Sequence, residues 1–452
     1  MRACSTPARS ARPLVAVAAL LGVIPATARP EGESGSEQRP PPWYVPSVTL
    51  PTSGGGRSGE GGPTRTESTG TDLSAARLGV TLDLPEWLRE TLGKKKPTTE
   101  EEAAPGERRI TWAPIIQASP VVGTSFGVGL AGTRQRGDIA TTRISTFSGS
   151  AQATTQSQYW AQLRTNINLP GGDWNLVGLW RWSKFPSPTW GIGGNTPESA
   201  KTTIDYQLLR FYETANRRIA TNFYLGAGYA LDYFYNVKDR AAGTGQVTEF
   251  QDYPYGTGST TLNSQLVLNV LYDSRDSLVF ATRGLYANLS YSYTPRWLGS
   301  DTTWQSAYLD LRGYRQLARR LVLALWSYAW FDFEQVPYLS LPSIGGDPDA
   351  RSGRGYIEGR HIGKSLLYGE AELRFVIWQW VGGVVGVNVH SVSQPSASGS
   401  LPNTPHFQYW WPAVVVGARI LAVKATHSNL CVDFAWGKNG QHGIYFDFAE
   451  AF

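Results

Sequence analysis

From residue 108 onward, apolar and polar side chains alternate almost without interruption. In "LLYGEAELRF", Tyr368, Glu370, Glu372 and Arg374 share one parity, and Leu367, Gly369, Ala371, Leu373 and Phe375 share the other. In "WAQLRTNINL", Gln162, Arg164, Asn166 and Asn168 oppose Leu163, Ile167 and Leu169, and "SAYLDLRGY" sets Asp310 and Arg312 against Ala307, Leu309 and Leu311. A period of two is the signature of a strand with one wet and one apolar face. Sixteen segments fit it, at 109–118, 122–133, 139–150, 157–168, 173–184, 202–214, 218–234, 259–273, 284–295, 303–316, 320–334, 364–377, 380–393, 410–424, 428–437 and 441–452.

The connections carry as much information as the strands. Every second one is a short turn, such as "LPGGD" (169–173), "ARR" (318–320) or "THS" (426–428), whereas 185–201, 235–258, 335–363 and 394–409 are long. An even number of strands, with turns at one end and long loops at the other, is the plan of a bacterial outer-membrane barrel. The charge parity agrees, because a Lys or Arg facing lipid at mid-membrane costs about 2–4 kcal/mol, so charges gather on the face toward a wet lumen. The expected fold is all-β, a 16-stranded antiparallel transmembrane β-barrel over residues 108–452. A soluble sandwich also alternates, but it accounts less well for loop asymmetry and for 17 Trp, 22 Tyr and 16 Phe in 452 residues.

The last segment, "QHGIYFDFAEAF", spaces Ile444, Phe446 and Phe448 two apart, with Phe452 four further on. A barrel closes when its last strand meets its first, so the expectation is a membrane strand running to Phe452.

Upstream the composition changes. "LVAVAALLGVIPATA" follows Arg2, Arg9 and Arg12 and ends in a small-x-small triplet, which reads as a secretory signal over residues 1–28 and is too short to span as a helix. Its removal takes three arginines and lowers the net charge from +5 to +2, so nothing in the charge points to nucleic acid. Residues 29–107 are rich in Pro, Gly, Ser, Thr and Glu and read as a disordered periplasmic segment. Within it Asp83 is placed to cap a short amphipathic helix near 84–93, with Leu84, Trp87, Leu88 and Leu92 on one face. Cys4 lies in the signal, which leaves Cys431 alone and no internal disulfide.

Two stretches point further than a barrel. "SIGGDPDARSGRGYIEGRHIGKSLLYGEAELRF" (343–375) and "YDSRDSLVFATRGLYANLSYSY" (272–293) resemble the BamA/TamA family of outer-membrane proteins, with weaker similarity over 110–130 and 190–199. The resemblance implies that the loop after the eleventh predicted strand folds back into the lumen and brings in Arg354, Gly355 and Tyr356. A guanidinium inside a lumen needs a carboxylate. Glu372 is the first candidate partner and Glu370 the second, both on the lumen parity. Asn388 stands where the family usually has an Asp, so the loop is expected to be held less tightly than in the family's assembly factors. Gly443, Phe446, Phe448 and Phe452 resemble the C-terminal signal that such barrels present to the barrel assembly machinery. The family's assembly factors carry periplasmic POTRA domains, and residues 29–107 lack the strands and apolar periodicity to form one.

No catalytic constellation is present. "GxSxG" and "HExxH" are absent, and His361, His390, His406, His427 and His442 share no metal-ligand spacing, so neither an enzyme, a cofactor nor a metal is expected. "GRGYIEGR" is not followed by a helix and does not read as a phosphate loop. The resemblance implies insertion or transport of proteins or lipids at the outer membrane of a Gram-negative cell. The expected partners are outer-membrane lipids, the assembly machinery and a separate periplasmic protein. The alternative is a passive pore or structural barrel without assembly activity.

Overall fold

A computed structural model describes residues 108–119, 123–134, 136–138, 141–278, 280–348, 351–396, 399–423, 428–447 and 450–452. The signal, the Pro/Gly/Ser-rich segment and the helix expected near 84–93 lie outside the described residues, as do Phe448 and His427.

The described chain is one antiparallel sheet of seventeen strands. In chain order they are β1 (Arg108–Ser119), β2 (Gly123–Arg134), β3 (Ser145–Thr154), β4 (Tyr159–Asn168), β5 (Trp174–Lys184), β6 (Ser187–Thr189), β7 (Thr202–Ala220), β8 (Phe223–Asp239) and β9 (Thr260–Asp273), followed by β10 (Gly284–Thr294), β11 (Trp304–Ala318), β12 (Leu321–Glu334), β13 (Ser365–Trp378), β14 (Val381–Val392), β15 (Trp411–Val423), β16 (Ser428–Gly437) and β17 (His442–Asp447). The seventeenth strand is the three-residue β6, which continues the line of β5 past Pro186 and pairs with the same neighbour, β7. Proline cannot donate to the ladder, so the break falls there. Counted around the wall, the expected sixteen positions remain. β1 and β17 lie side by side, and no ladder pairing joins them among the described residues.

Two turn-side boundaries move: β7 runs on to Ala220, so the turn expected at 215–217 lies at 221–222, and the third strand starts later than expected. Residues 139–144 were expected to open the third strand, but Asp138 accepts hydrogen bonds through its carbonyl from Thr141 N–H (3.1 Å) and Thr142 N–H (2.8 Å), and β3 starts at Ser145. The Thr142 hydroxyl accepts from Gly171 N–H at 2.9 Å, which fastens this segment to the turn after β4. The turn-side connection 274–283 is also longer than the two-residue turns at 221–222 and 319–320, and Asp276 organises it by accepting from Thr282 N–H at 2.8 Å.

The outward parity is apolar and exposed, with Leu268 at 61% and Val387 at 56%. The inward parity carries the charges: Arg210 with Asp232 at 2.7 Å and Arg312 with Asp310 at 2.7 Å. Phe446 and Ile444 point outward on β17 and Tyr445 points inward. Phe446→Asp is therefore expected to lower the amount of inserted barrel, read as loss of the heat-modifiable band on gels, because it sets a charge against lipid beside the first strand.

The strand expected to run to Phe452 instead ends at Asp447. Glu450–Phe452 turn into the lumen. Glu450 accepts from Arg419 Nε and from Asn429 Nδ2, each at 2.8 Å. The Phe452 ring packs against Trp326 with centroids 5.2 Å apart, and the Arg374 guanidinium lies 4.7 Å from its centroid. Buried guanidinium groups that need a carboxylate explain the inward turn better than an apolar face that would suit lipid.

Candidate functional site

The loop joining β12 to β13, residues 335–364, crosses the lumen. At its tip stands Arg354, 4% exposed. Its Nη2 bonds both Glu370 and Glu372 on β13, and its Nη1 bonds Asp433 Oδ2 on β16 at 2.5 Å. Asn388 on β14 donates to the Arg354 carbonyl at 3.0 Å. The two glutamates come from the alternation of β13 and were legible as candidates. Asp433 was missed, although it lies on the inward parity of β16 between Val432 and Phe434. With Asp433 present, the guanidinium has three carboxylate neighbours, and the missing acid at Asn388 leaves it no shortage of counter-charge.

Two further guanidinium groups tie these acids together. Arg374 pairs with Glu372 at 2.7 Å and donates to the Phe452 carbonyl at 3.0 Å. Arg419 on β15 bridges Asp433 at 2.5 Å and Glu450 at 2.8 Å. Arg351 of the loop reaches the last segment as well, bonding the Glu450 carbonyl and lying 3.3 Å from Asp447. Loop tip, strands β13, β15 and β16, and the segment after β17 therefore share one buried charge network.

Gly355 and Tyr356 complete the tip. Gly355 has φ +101°, and a Cβ there would meet Ala413 Cβ at 2.9 Å, so the close approach to the wall requires glycine. Its N–H donates to the Tyr445 hydroxyl at 2.9 Å. The Tyr356 hydroxyl donates to the Pro412 carbonyl at 2.5 Å and accepts from Lys438 N–H at 2.9 Å. Gly443, also on the inward parity of β17, is buried. The Tyr356 ring packs edge-on against His390, with centroids 4.8 Å apart. His390 Nε2 and His361 Nδ1 form a hydrogen bond of 2.7 Å, a pairing that their sequence separation did not suggest. Among the described residues no three His, Cys, Asp or Glu side chains gather as a metal set.

The opposite wall is also engaged: Arg164 on β4 donates to the Pro348 carbonyl at 2.7 Å. Above this plug, the loops close the barrel with an apolar cluster that includes Ile192, Phe250, Val336, Tyr338, Leu341 and Ile362. Gly193 N–H donates to the Ile362 carbonyl at 2.7 Å, and the Thr189 and Tyr338 hydroxyls are 2.7 Å apart. Glu249, in a short helical turn of the 240–259 loop, accepts from Ile192 N–H at 2.8 Å. Burial raises its pKa above the ordinary glutamate value, opposed by that hydrogen bond and assisted by Asp252. A raised carboxyl pKa favours the cap while Glu249 is protonated, and that contribution fades as pH rises through the folded value. Glu249→Gln is expected to flatten this pH dependence, measured as protease sensitivity of the loops as pH is raised from below to well above the ordinary glutamate value.

The sequence over residues 182–393 matches the Omp85 superfamily domain. No curated protein matches the chain. Among solved structures, BamA from Haemophilus ducreyi lacking POTRA domains 1–3 aligns with a TM-score of 0.50 at 16% identity, covering 75% of this chain and 70% of that one. CdiB from Escherichia coli aligns with a TM-score of 0.51 at 10% identity, covering 78% of this chain and 63% of that one, so the chain spans less than two thirds of that relative. At these identities the likeness is one of fold.

Proposed function

We propose that this chain, a barrel of the Omp85 superfamily resembling the BamA/TamA family, works in the outer membrane of a Gram-negative cell in the insertion or passage of proteins or lipids. Barrels of this superfamily are outer-membrane proteins. The observation that carries the reading is the loop 335–364 laid across the lumen, with Arg354 on three carboxylates of one wall and Pro348 on Arg164 of the other. A passive pore needs a continuous wet path. This lumen is plugged by its own loop and capped by an apolar cluster, which supports a gated device over a permanent channel.

The seam supports the same reading. β1 is twelve residues long and fully paired to β2, whereas β17 has six. An incompletely covered strand edge is the weakest part of a membrane barrel, since unpaired backbone groups there have no water to bond. Arg351 and Arg419 hold the segment after β17, so the charge network sits where it can bias the seam. Among the expected partners, the assembly machinery would act during biogenesis, and a separate periplasmic protein would supply client capture.

Depletion of the protein in its native cell tests the reading. The expected result is a fall in the surface level of at least one other outer-membrane or secreted protein, or of a lipid, with normal permeability to small solutes. Loss of small-solute uptake alone would favour the pore.

A further inference from the structure

One carboxylate stands on the wrong face. Glu213 on β7 shares the outward parity of Leu209 and Phe211, and its cross-strand neighbours are Gly178 on β5 and Tyr229 on β8. Leu209 is 45% exposed and the adjacent Trp180 47%, which marks this as the outer surface of the wall. Rings bound that surface at both ends. On the loop side Tyr159 packs against Trp182 at 5.3 Å, Tyr233 stacks on Tyr235 at 5.3 Å, and Trp182 Nε1 donates to the Tyr235 hydroxyl at 2.9 Å. On the turn side the Arg217 guanidinium lies 5.9 Å from the Trp174 ring. Such aromatic rows mark the two interfaces of a membrane barrel.

Glu213 lies midway between them. It is four residues along β7 from Leu209, which pairs with Trp182, and four from Arg217, which pairs with Trp174. At about 3.3 Å per residue and a tilt near 45°, each row is ~9 Å away in depth. The carboxylate is positioned there. Glu213 Oε1 accepts from Trp180 Nε1 at 2.7 Å. It lies over Gly178, where an added Cβ would come within 2.5 Å of Oε1 and 2.7 Å of Thr165 Oγ1. Any larger residue at position 178 would displace it. Among the described residues nothing donates to the other oxygen.

An ionisable side chain held at mid-depth on a lipid-facing surface points to a specific counterpart. We infer that the β4–β5–β7 face around Glu213 docks a second membrane-spanning protein that presents a Lys or Arg side chain at mid-membrane. The inference rests on the outer-membrane reading above. Charge complementarity selects the occupant, because lipid headgroups lie at the level of the ring rows. A second copy of this chain brings no cation to that depth among the described residues. Among the described side chains, the outward-facing basic ones sit at strand ends: Lys184 closes β5, Arg217 faces the Trp174 ring, Lys238 is next to last in β8, Arg315 lies three residues from the end of β11, and Arg134 ends β2.

The test uses the full chain in its native outer membrane, with a photo-crosslinking phenylalanine analogue in place of Phe211. The expected result is a discrete protein adduct whose cross-linked peptide comes from a membrane-spanning segment with a Lys or Arg beside it. Glu213→Leu should reduce that adduct roughly tenfold or more, and the isosteric Glu213→Gln should also reduce it. Cross-links to lipid alone, to a second copy of this chain, or an adduct equally strong in both variants would overturn the inference. Heat-modifiable gel mobility is read on the same samples. Failure of the unsubstituted chain to show it in the outer-membrane fraction would contradict the barrel reading itself, whereas an inserted barrel with no Glu213-dependent adduct contradicts only the partner.

Discussion

Arg354→Ala is expected to free residues 343–363 from the lumen while the barrel still inserts. The substitution removes the one cation shared by Glu370, Glu372 and Asp433, three carboxylates drawn together on one wall. Arg374 and Arg419 still neutralise Glu372 and Asp433, so Glu370 is left with the least compensation, bonded among the described residues by the Tyr368 hydroxyl. Breaking a buried pair by removing one partner costs ~3–5 kcal/mol, and less where lumen water can enter. The loop, not the wall, gives way, because β13 and β16, which carry the three acids, are held by ladder bonds on both sides and the tip is held by side chains. Limited proteolysis from outside the cell checks this: cleavage within 343–363 should rise well above wild type at equal surface level. Glu372→Gln should give a smaller effect, since Glu370 and Asp433 remain. The double variant should be little worse than Arg354→Ala alone, because the two residues share one interaction. Strictly additive effects would mean that they act separately.

Arg419→Met is expected to do more damage to the barrel itself. Its guanidinium is the only described bridge between Asp433 on β16 and Glu450 of the last segment. Methionine fills much of the volume but supplies no donor, so two buried acids lose a cation together. Glu450 keeps Asn429 and the Arg351 bond to its carbonyl, and Phe452 keeps Arg374, so the last segment is loosened, not freed, and β17, already six residues long, loses part of its anchor on the lumen side. A loss of ~3–5 kcal/mol by the same reasoning falls on the seam. It should appear as a lower urea midpoint and as proteolysis after Asp447. Arg419→Lys should recover part of the midpoint, since the charge survives without the fork that spans two acids.

The fold was legible because lipid punishes a misplaced charge. The parity of Glu370, Glu372 and Arg374 against Leu373 and Phe375 marks the lumen face in the sequence itself, and the long and short connections place the loops at one end. The tip of the 335–364 loop was legible only through family resemblance, since nothing in the spacing of Arg354, Gly355 and Tyr356 says that a loop turns inward. What stayed hidden was tertiary. Asp433 is one inward residue among many, and its role appears only when β16 is set across the lumen from the loop tip. The inward turn of Glu450–Phe452 was missed because alternation in "GIYFDF" invites continuation, while the pull on Glu450 comes from Arg419, thirty-one residues earlier in the chain. Glu213 was also legible in principle: it breaks the parity of its strand, and a parity break in a membrane wall is where a specific contact is expected.

In the proposed mechanism the loop 335–364 closes this lumen through Arg354. Single-channel recording in planar bilayers tests it most directly, with purified wild-type protein and Arg354→Ala inserted at matched density. The expected record is a silent or rarely flickering wild type and long, large openings in the variant. A wild type that conducts steadily, with Arg354→Ala indistinguishable from it, would mean that the loop does not close the lumen.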